Sequence, residues 1–161
     1  MNSKWDARFI SMANLIASWS KDSSSKVGAV IADENNRIVS LGYNGFAQTV
    51  SDDLAITRED KLAMSIHAEA NAILFAKYIP SKSRLYCTHF CCSQCASIIV
   101  QAKEIVEVVF AYPEGQVADY TRRWYDNLQI SAKVFGGRVN VRFHPGTQTP
   151  WQLVLNRFKP E

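Results

Sequence analysis

From about Asp6 to Ser20 the apolar residues Phe9, Met12, Ala13, Ile16 and Ala17 recur every three or four positions, a spacing that predicts an amphipathic helix. The pattern then changes. Val27–Ile31 is a β-rich run, Asp33–Asn36 a turn cluster and Arg37–Gly42 an alternating run, which together predict a hairpin. Gly42-Tyr43-Asn44-Gly45 follows, with glycines on either side of a polar pair, where backbone is expected to lie close to something. Residues 46–66 are polar and loop-like, with Arg58-Glu59-Asp60-Lys61 opening a short helix. Ala68–Tyr78 is rich in good helix formers and ends before Pro80, and Ser93–Gln101 predicts a second helix. Strands are predicted at Arg84–Thr88, Glu107–Ala111 and Arg138–Phe143, a further helix at Ala118–Leu128, and a last helix at Pro150–Phe158 carrying Trp151, Leu153, Val154, Leu155 and Phe158. Strands alternating with helices indicate an α/β layer around a mixed sheet. No repeat, low-complexity run or linker divides the chain, so residues 1–161 are read as one domain.

Composition narrows the function classes. At 161 residues one domain can bury roughly 70% of the surface its unfolded chain exposes. Lys plus Arg number 18 against 15 for Asp plus Glu, and the resulting +3 suits a small anionic ligand better than a long nucleic acid. The longest apolar runs, such as Ser97–Ala102, fall far short of the roughly 18 residues of a membrane span. The segment Met1–Asp6 has no apolar signal core, so a soluble, cytoplasmic protein with no nucleic-acid or membrane partner is expected.

Chemistry concentrates in two short segments, His67-Ala68-Glu69 and Cys92-Ser93-Gln94-Cys95. All four cysteines (Cys87, Cys91, Cys92, Cys95) lie within one short stretch, a poor disulfide framework and a good metal-binding one. A catalytic zinc has three protein ligands and an open fourth position. His67, Cys92 and Cys95 supply that number, two of them at predicted helix N-termini, where the dipole favours thiolate. Glu69 is too near His67 in sequence to be an easy fourth ligand and is the natural proton shuttle. A closed structural site, with Cys91 or Cys87 as fourth ligand, is the competing reading; a redox role for Cys92 and Cys95 would leave His67 and Glu69 without a purpose. His89 and His144 are read as ordinary loop residues.

With these residues in place the chain resembles the cytidine deaminase superfamily, and within it the deoxycytidylate (dCMP) deaminase family. The resemblance runs through Ser20–Ala29, Gly42-Tyr43-Asn44-Gly45, Ser51-Asp52-Asp53, His67–Ile73 and Cys92–Ala96, and covers about Phe9 to Phe143. It departs at Cys91, where the superfamily usually has proline. Residues 46–66 contain no Cys or His, so one zinc per subunit is expected.

The resemblance implies a three-layer sandwich with a mixed central sheet flanked by helices, and hydrolysis of dCMP to dUMP and ammonia. It implies zinc on His67, Cys92 and Cys95, with Glu69 carrying protons from the water to N3 and the leaving amine. It further implies that the Ala68 backbone reads the pyrimidine edge, Asn44 the sugar, and that Tyr120 lies over or beside the nucleotide. It also implies a homo-oligomer, often a hexamer, activated by dCTP and inhibited by dTTP at Ser24, Lys26, Gly28, Gly42, Tyr43 and Gly45, with Mg accompanying the triphosphate. Glycines and Lys26 fit a phosphate site, although a lone lysine is commonly a solvated charge and paired glycines a plain turn. Arg122 and Arg123 are candidates for the substrate phosphate or for a solvated helix face. Two other readings remain: a deaminase of cytidine, cytosine or tRNA adenosine, and a non-catalytic zinc module.

Overall fold

A computed structural model describes residues 3–52, 56–111 and 117–144, with backbone alone for Ser3 and for 117–123. Helix α1 spans Ser3–Ala17, strands β1 and β2 span Gly28–Ala32 and Ile38–Tyr43, and helices α2 and α3 span Arg58–Met64 and Ala68–Phe75. Then come β3 (Ser83–Cys87), α4 (Ser93–Gln101), β4 (Ile105–Ala111), α5 (Val117–Phe135) and β5 (Asn140–His144).

The five strands lie in the order β2-β1-β3-β4-β5. β1 is antiparallel to both β2 and β3, whereas β4 is parallel to β3 and to β5, which makes the sheet mixed as expected. The hairpin closes through Asp33, whose carboxylate accepts the Asn35 and Arg37 N–H groups, and Asn36 takes the left-handed conformation (φ 62°) that asparagine tolerates.

Strand periodicity sorts the core into two layers. Val30, Ala32, Tyr86 and Val109 face α1 and meet Phe9, Ile10 and Ala13. Ala29, Ile31, Leu85, Cys87, Val108 and Phe110 face the other way, onto α3, α4 and α5. On that side Phe90 packs edge-on against Phe110 with ring centroids 4.9 Å apart, and also contacts Phe135 and Phe143. This is a helix–sheet–helix sandwich, the three layers expected.

Boundaries differ in informative ways. α5 continues seven residues beyond the predicted end at Leu128, because Leu128, Ala132 and Phe135 keep one apolar face on the core. α3 stops at Phe75 rather than Tyr78; the chain beyond packs Ile79 on the core and leaves Tyr78 exposed. α2 is fixed by a capping box between Thr57 and Asp60, yet buries none of its residues. His144 is the last residue of β5 rather than a loop residue. The helix expected at Pro150–Phe158 lies outside the described residues.

Candidate active site

The loop after β3 and the start of α3 converge at one end of the sheet. His67 is the N-cap of α3 and Cys92 the N-cap of α4, and neither side chain makes a capping hydrogen bond. Cys95 sits on the first turn of α4. Histidine and cysteine are poor caps; here their side chains turn toward each other instead. His67 Nδ1 lies 3.3 Å from Cys92 Sγ and 3.5 Å from Cys95 Sγ, and all three donor atoms fall within 4.8 Å of one another. Tetrahedral zinc with Zn–S of about 2.3 Å and Zn–N of about 2.0 Å places its ligand atoms about 3.5–3.8 Å apart, so one imidazole and two sulfurs at these spacings fit that ion. Among the described residues this is the one group of three or more such side chains gathered closely enough to hold a metal.

Electrostatics agree with that use. A hydrogen bond from the Cys95 thiol, followed by one from His67, holds the Cys92 thiol below its ordinary value, which favours negative charge on that sulfur. The Cys95 thiol is pushed up by sharing that proton with Cys92 and by burial. His67 is raised, chiefly by its hydrogen bond to Cys92. Two helix N-termini point their positive ends at this negative charge.

Glu69 is buried, 3% exposed, in the first turn of α3. Burial pushes its carboxyl up to about 7, against the opposing pull of its own backbone N–H, the charge on His67 and a hydrogen bond from Cys95. A carboxyl near neutrality can both accept and return a proton at working pH. Ala68, between the ligand and the carboxylate, is the first residue of α3, so its N–H has no partner in the helix ladder.

Cys91 and Cys87 are buried in the core around the Phe90 cluster, and burial pushes both thiols well up. Neither joins the metal group, which leaves the fourth position without a protein sulfur among the described residues. Thr88 ties the loop to β1: its hydroxyl accepts the Gly28 N–H at 3.2 Å, and its own N–H donates to the Gly28 carbonyl. His89 Nδ1 lies 2.9 Å from that hydroxyl, and burial lowers its pKa.

The remaining candidates are distributed differently. Asn44 is buried, and its side-chain oxygen accepts the Val27 N–H while its amide donates to the Ser25 carbonyl, both at 2.8 Å. A Cβ on Gly28 would stand 2.0 Å from the Ala13 carbonyl oxygen, and one on Gly42 would stand 2.3 Å from that of Ala68. A close approach at these glycines is therefore made by helices α1 and α3. Gly45 has open space around it. The Ser24 N–H donates to the Asp22 carboxylate, as does that of Ser25, and Asp22 pairs with Lys61 at 3.1 Å. Ser24 and Lys26 are exposed, and Tyr43 meets Trp19 edge-on. Two cavities adjoin this segment. One of about 290 Å³ is lined by Lys21, Asp22, Gly45, Asp52 and Lys61, and one of about 430 Å³ by Gly42, Tyr43, Gly45, Asn71 and Phe75. The side chains of Tyr120, Arg122 and Arg123 lie outside the described residues.

Two residues not singled out from the sequence touch the site. Asn127 and Ser131 of α5 hydrogen-bond the backbone on either side of Cys92. Their sole signal was a shared helix face four residues apart.

Comparison with known proteins agrees with this geometry. Residues 3–112 match the family model of the cytidine and deoxycytidylate deaminase zinc-binding region. The chain is 44% identical over 136 residues, 84% of its length and 89% of the relative's, to an uncharacterized deaminase in the luxG 3' region of Aliivibrio fischeri. It is 42% identical over 142 residues, 82% of its length and 80% of the relative's, to deoxycytidylate deaminase of Mus musculus. Its fold superposes with a TM-score of 0.68 and 25% identity on the dCMP deaminase of cyanophage S-TIM5, solved with dCMP and dUMP, covering 89% of this chain and 98% of that one. A three-donor His-Cys-Cys site, a buried glutamate beside it and a family match over most of the chain lead to one assignment: the protein belongs to the cytidine and deoxycytidylate deaminase family of zinc-binding enzymes.

Proposed function

We propose that the protein hydrolyses dCMP to dUMP and ammonia. The observation that carries this is the placement of a buried carboxyl, Glu69, against a His67-Cys92-Cys95 donor set that has no fourth ligand among the described residues. A purely structural zinc site has no need of that carboxyl. Bound at these three residues, zinc supplies a Lewis acid that lowers the pKa of a coordinated water from about 15.7 toward 7. His67, Cys92 and Cys95 hold it. Glu69 takes one proton from the attacking water and passes it to N3, then takes the second from the hydroxyl now on C4 and passes it to the amino group as the C4–N bond breaks, so that water and dCMP become dUMP and ammonia. The Ala68 N–H, left over by the helix, is available to the pyrimidine edge. Asn44 reaches the sugar with the amide hydrogen and lone pair that its two backbone contacts leave over, and Tyr120 and the neighbouring arginines of α5 serve the nucleotide. The choice of dCMP within the family draws support from relatives named deoxycytidylate deaminase and from the cyanophage enzyme solved with dCMP and dUMP.

Regulation belongs to the same proposal. Lys26 and Ser24, exposed beside β1, with Tyr43 and Gly45 at the open cavities, are the residues offered to dCTP or dTTP, with Mg on the triphosphate. Gly28 and Gly42 contribute by letting helices close on the strands beneath. Leu74, Phe75 and Tyr78 are 70%, 60% and 73% exposed at the end of α3, an apolar patch that supports assembly into a homo-oligomer, a hexamer by family resemblance. Among the described residues no helix is long and apolar enough to cross a membrane.

The test is ammonia release from dCMP by zinc-loaded protein, alone and with dCTP or dTTP, with cytidine and cytosine as controls. Turnover of dCMP that rises with dCTP and falls with dTTP is expected. Turnover of cytidine or cytosine with none of dCMP would overturn the substrate assignment while keeping the chemistry.

A further inference from the structure

Cys92 occupies a position that ordinarily caps a helix, and its side chain cannot cap because it faces His67. The N–H groups at the start of α4 must then find partners elsewhere or remain unsatisfied. α5 provides one. Asn127 Oδ1 accepts the Ser93 N–H at 2.9 Å, and Asn127 Nδ2 donates to Ser93 Oγ at 3.1 Å. One turn further along, the hydroxyl of the fully buried Ser131 lies 2.9 Å from the Cys91 carbonyl and 3.1 Å from the Asn127 carbonyl of its own helix, the shorter contact being the one to Cys91. The peptide groups immediately before and after Cys92 are thus both held by one face of α5. That helix is itself anchored to the core by Leu128, Ala132 and Phe135.

We propose that Asn127 and Ser131 are positioning residues that preorganise Cys92 for metal binding, a role that rests on the assignment of the metal to His67, Cys92 and Cys95. They touch neither the metal nor the substrate. Their bonds fix where the Cys92 backbone enters α4, and hence where its sulfur stands relative to His67 and Cys95. Phe90, packed among Phe110, Phe135 and Phe143, anchors the same loop from the apolar side, so the two hydrogen-bonding residues supply direction and the aromatic cluster supplies depth. The Ser131 bond to the Cys91 carbonyl also restrains the backbone of that residue.

The test compares wild type with Asn127→Leu, Asn127→Asp and Ser131→Ala. Zinc affinity is read by competition with a chromophoric chelator, and ligand geometry by the absorption spectrum of the cobalt(II)-loaded protein. Outer partners of metal ligands typically govern about 10–100-fold in metal affinity. Asn127→Leu is expected to lose zinc affinity in that range and to shift the cobalt bands. Asn127→Asp, which keeps an acceptor for the Ser93 N–H, should recover much of the loss. Ser131→Ala, the deletion of a single hydroxyl, keeps the question answerable if Asn127→Leu does not fold, and should show a smaller loss in the same direction. Wild-type zinc affinity and cobalt spectrum in all three variants, with only the melting temperature lowered, would reduce both residues to ordinary packing and overturn the proposal. Neither readout needs substrate. A wild-type protein that binds zinc but leaves dCMP intact would end the dCMP reading alone, whereas one that binds no zinc would end both.

Discussion

At the starts of α3 and α4, metal-binding side chains sit at cap positions and make no cap: His67 and Cys92 turn toward each other, and Glu69 is buried beside them. In the stretch from Ser20 to Gly45 most of the polar and glycine residues already have a job in the fold. Ser20 Oγ donates to the Asn44 carbonyl, Asn44 bridges Val27 and Ser25, Asp22 collects two backbone N–H groups and Lys61, and Gly28 and Gly42 admit helices. Both regions lie within residues 3–112, which match the family model. In the first the pattern reflects chemistry that local structure leaves undone, and in the second it also reflects how the hairpin is closed against α1 and α3.

That contrast can be broken. The largest effect expected is from Glu69→Gln: zinc content unchanged and ammonia release lowered by about 10²–10⁴-fold, the usual contribution of a positioned acid–base group. Metal analysis alongside steady-state turnover decides it, and near-normal turnover would remove the chemistry from the first region. Gly28→Ala and Gly42→Ala come next. Each added methyl meets helix backbone, so each should cost about 1–3 kcal/mol of stability and lower the melting temperature by about 2–4 °C per kcal/mol. If both instead melted like wild type but no longer responded to dCTP, the glycines would belong to a ligand and the comparison would invert. Asn44→Ala strands the Val27 N–H and the Ser25 carbonyl, a cost of about 1–3 kcal/mol, reduced here because Ser25 is exposed. Denaturant unfolding measures that loss, while a change in KM for dCMP at unchanged stability would assign Asn44 to the sugar alone.

The metal site was legible in the sequence because its parts are local: His67 and Glu69 share one turn, and Cys92 and Cys95 another. The strands were legible from their alternation, and β1, buried at every position, from its β-rich composition. What escaped was long-range. Asn127 meets Ser93 across 34 residues and Ser131 meets Cys91 across 40, and nothing in a helix's own periodicity names the loop it will bind. The glycines were open to two readings for a related reason. A residue without a side chain marks close approach but not by what, and only the packed structure shows helix backbone there. The continuation of α5 to Phe135, by contrast, was written in the spacing of Leu128, Ala132 and Phe135.

The smallest effect comes from a charged cluster far from both regions. Arg142 on β5 bonds Glu107 on β4 through Nε at 2.8 Å and Asp6 on α1 through Nη1 at 2.8 Å, joining residues 136 positions apart. Burial acts to raise the Glu107 carboxyl, but the hydrogen bond and charge of Arg142, with help from Asn140, outweigh it and hold the group below its ordinary value of 4.5. A carboxyl depressed in the folded state contributes stability that is fully present above its unfolded pKa and is lost as pH falls through the lower folded value. Glu107→Gln should therefore be less stable than wild type at neutral pH, and the gap should narrow as pH drops below about 4.5. Taking wild type minus variant cancels the acid lability that the metal site adds to both. Urea unfolding at stepped pH reads this difference, and a gap that stayed constant or widened in acid would show that Glu107 is not held as an anion by Arg142. A narrowing gap would mark the cluster as a tie between α1 and the parallel half of the sheet, with its acid response separate from the proton chemistry at Glu69.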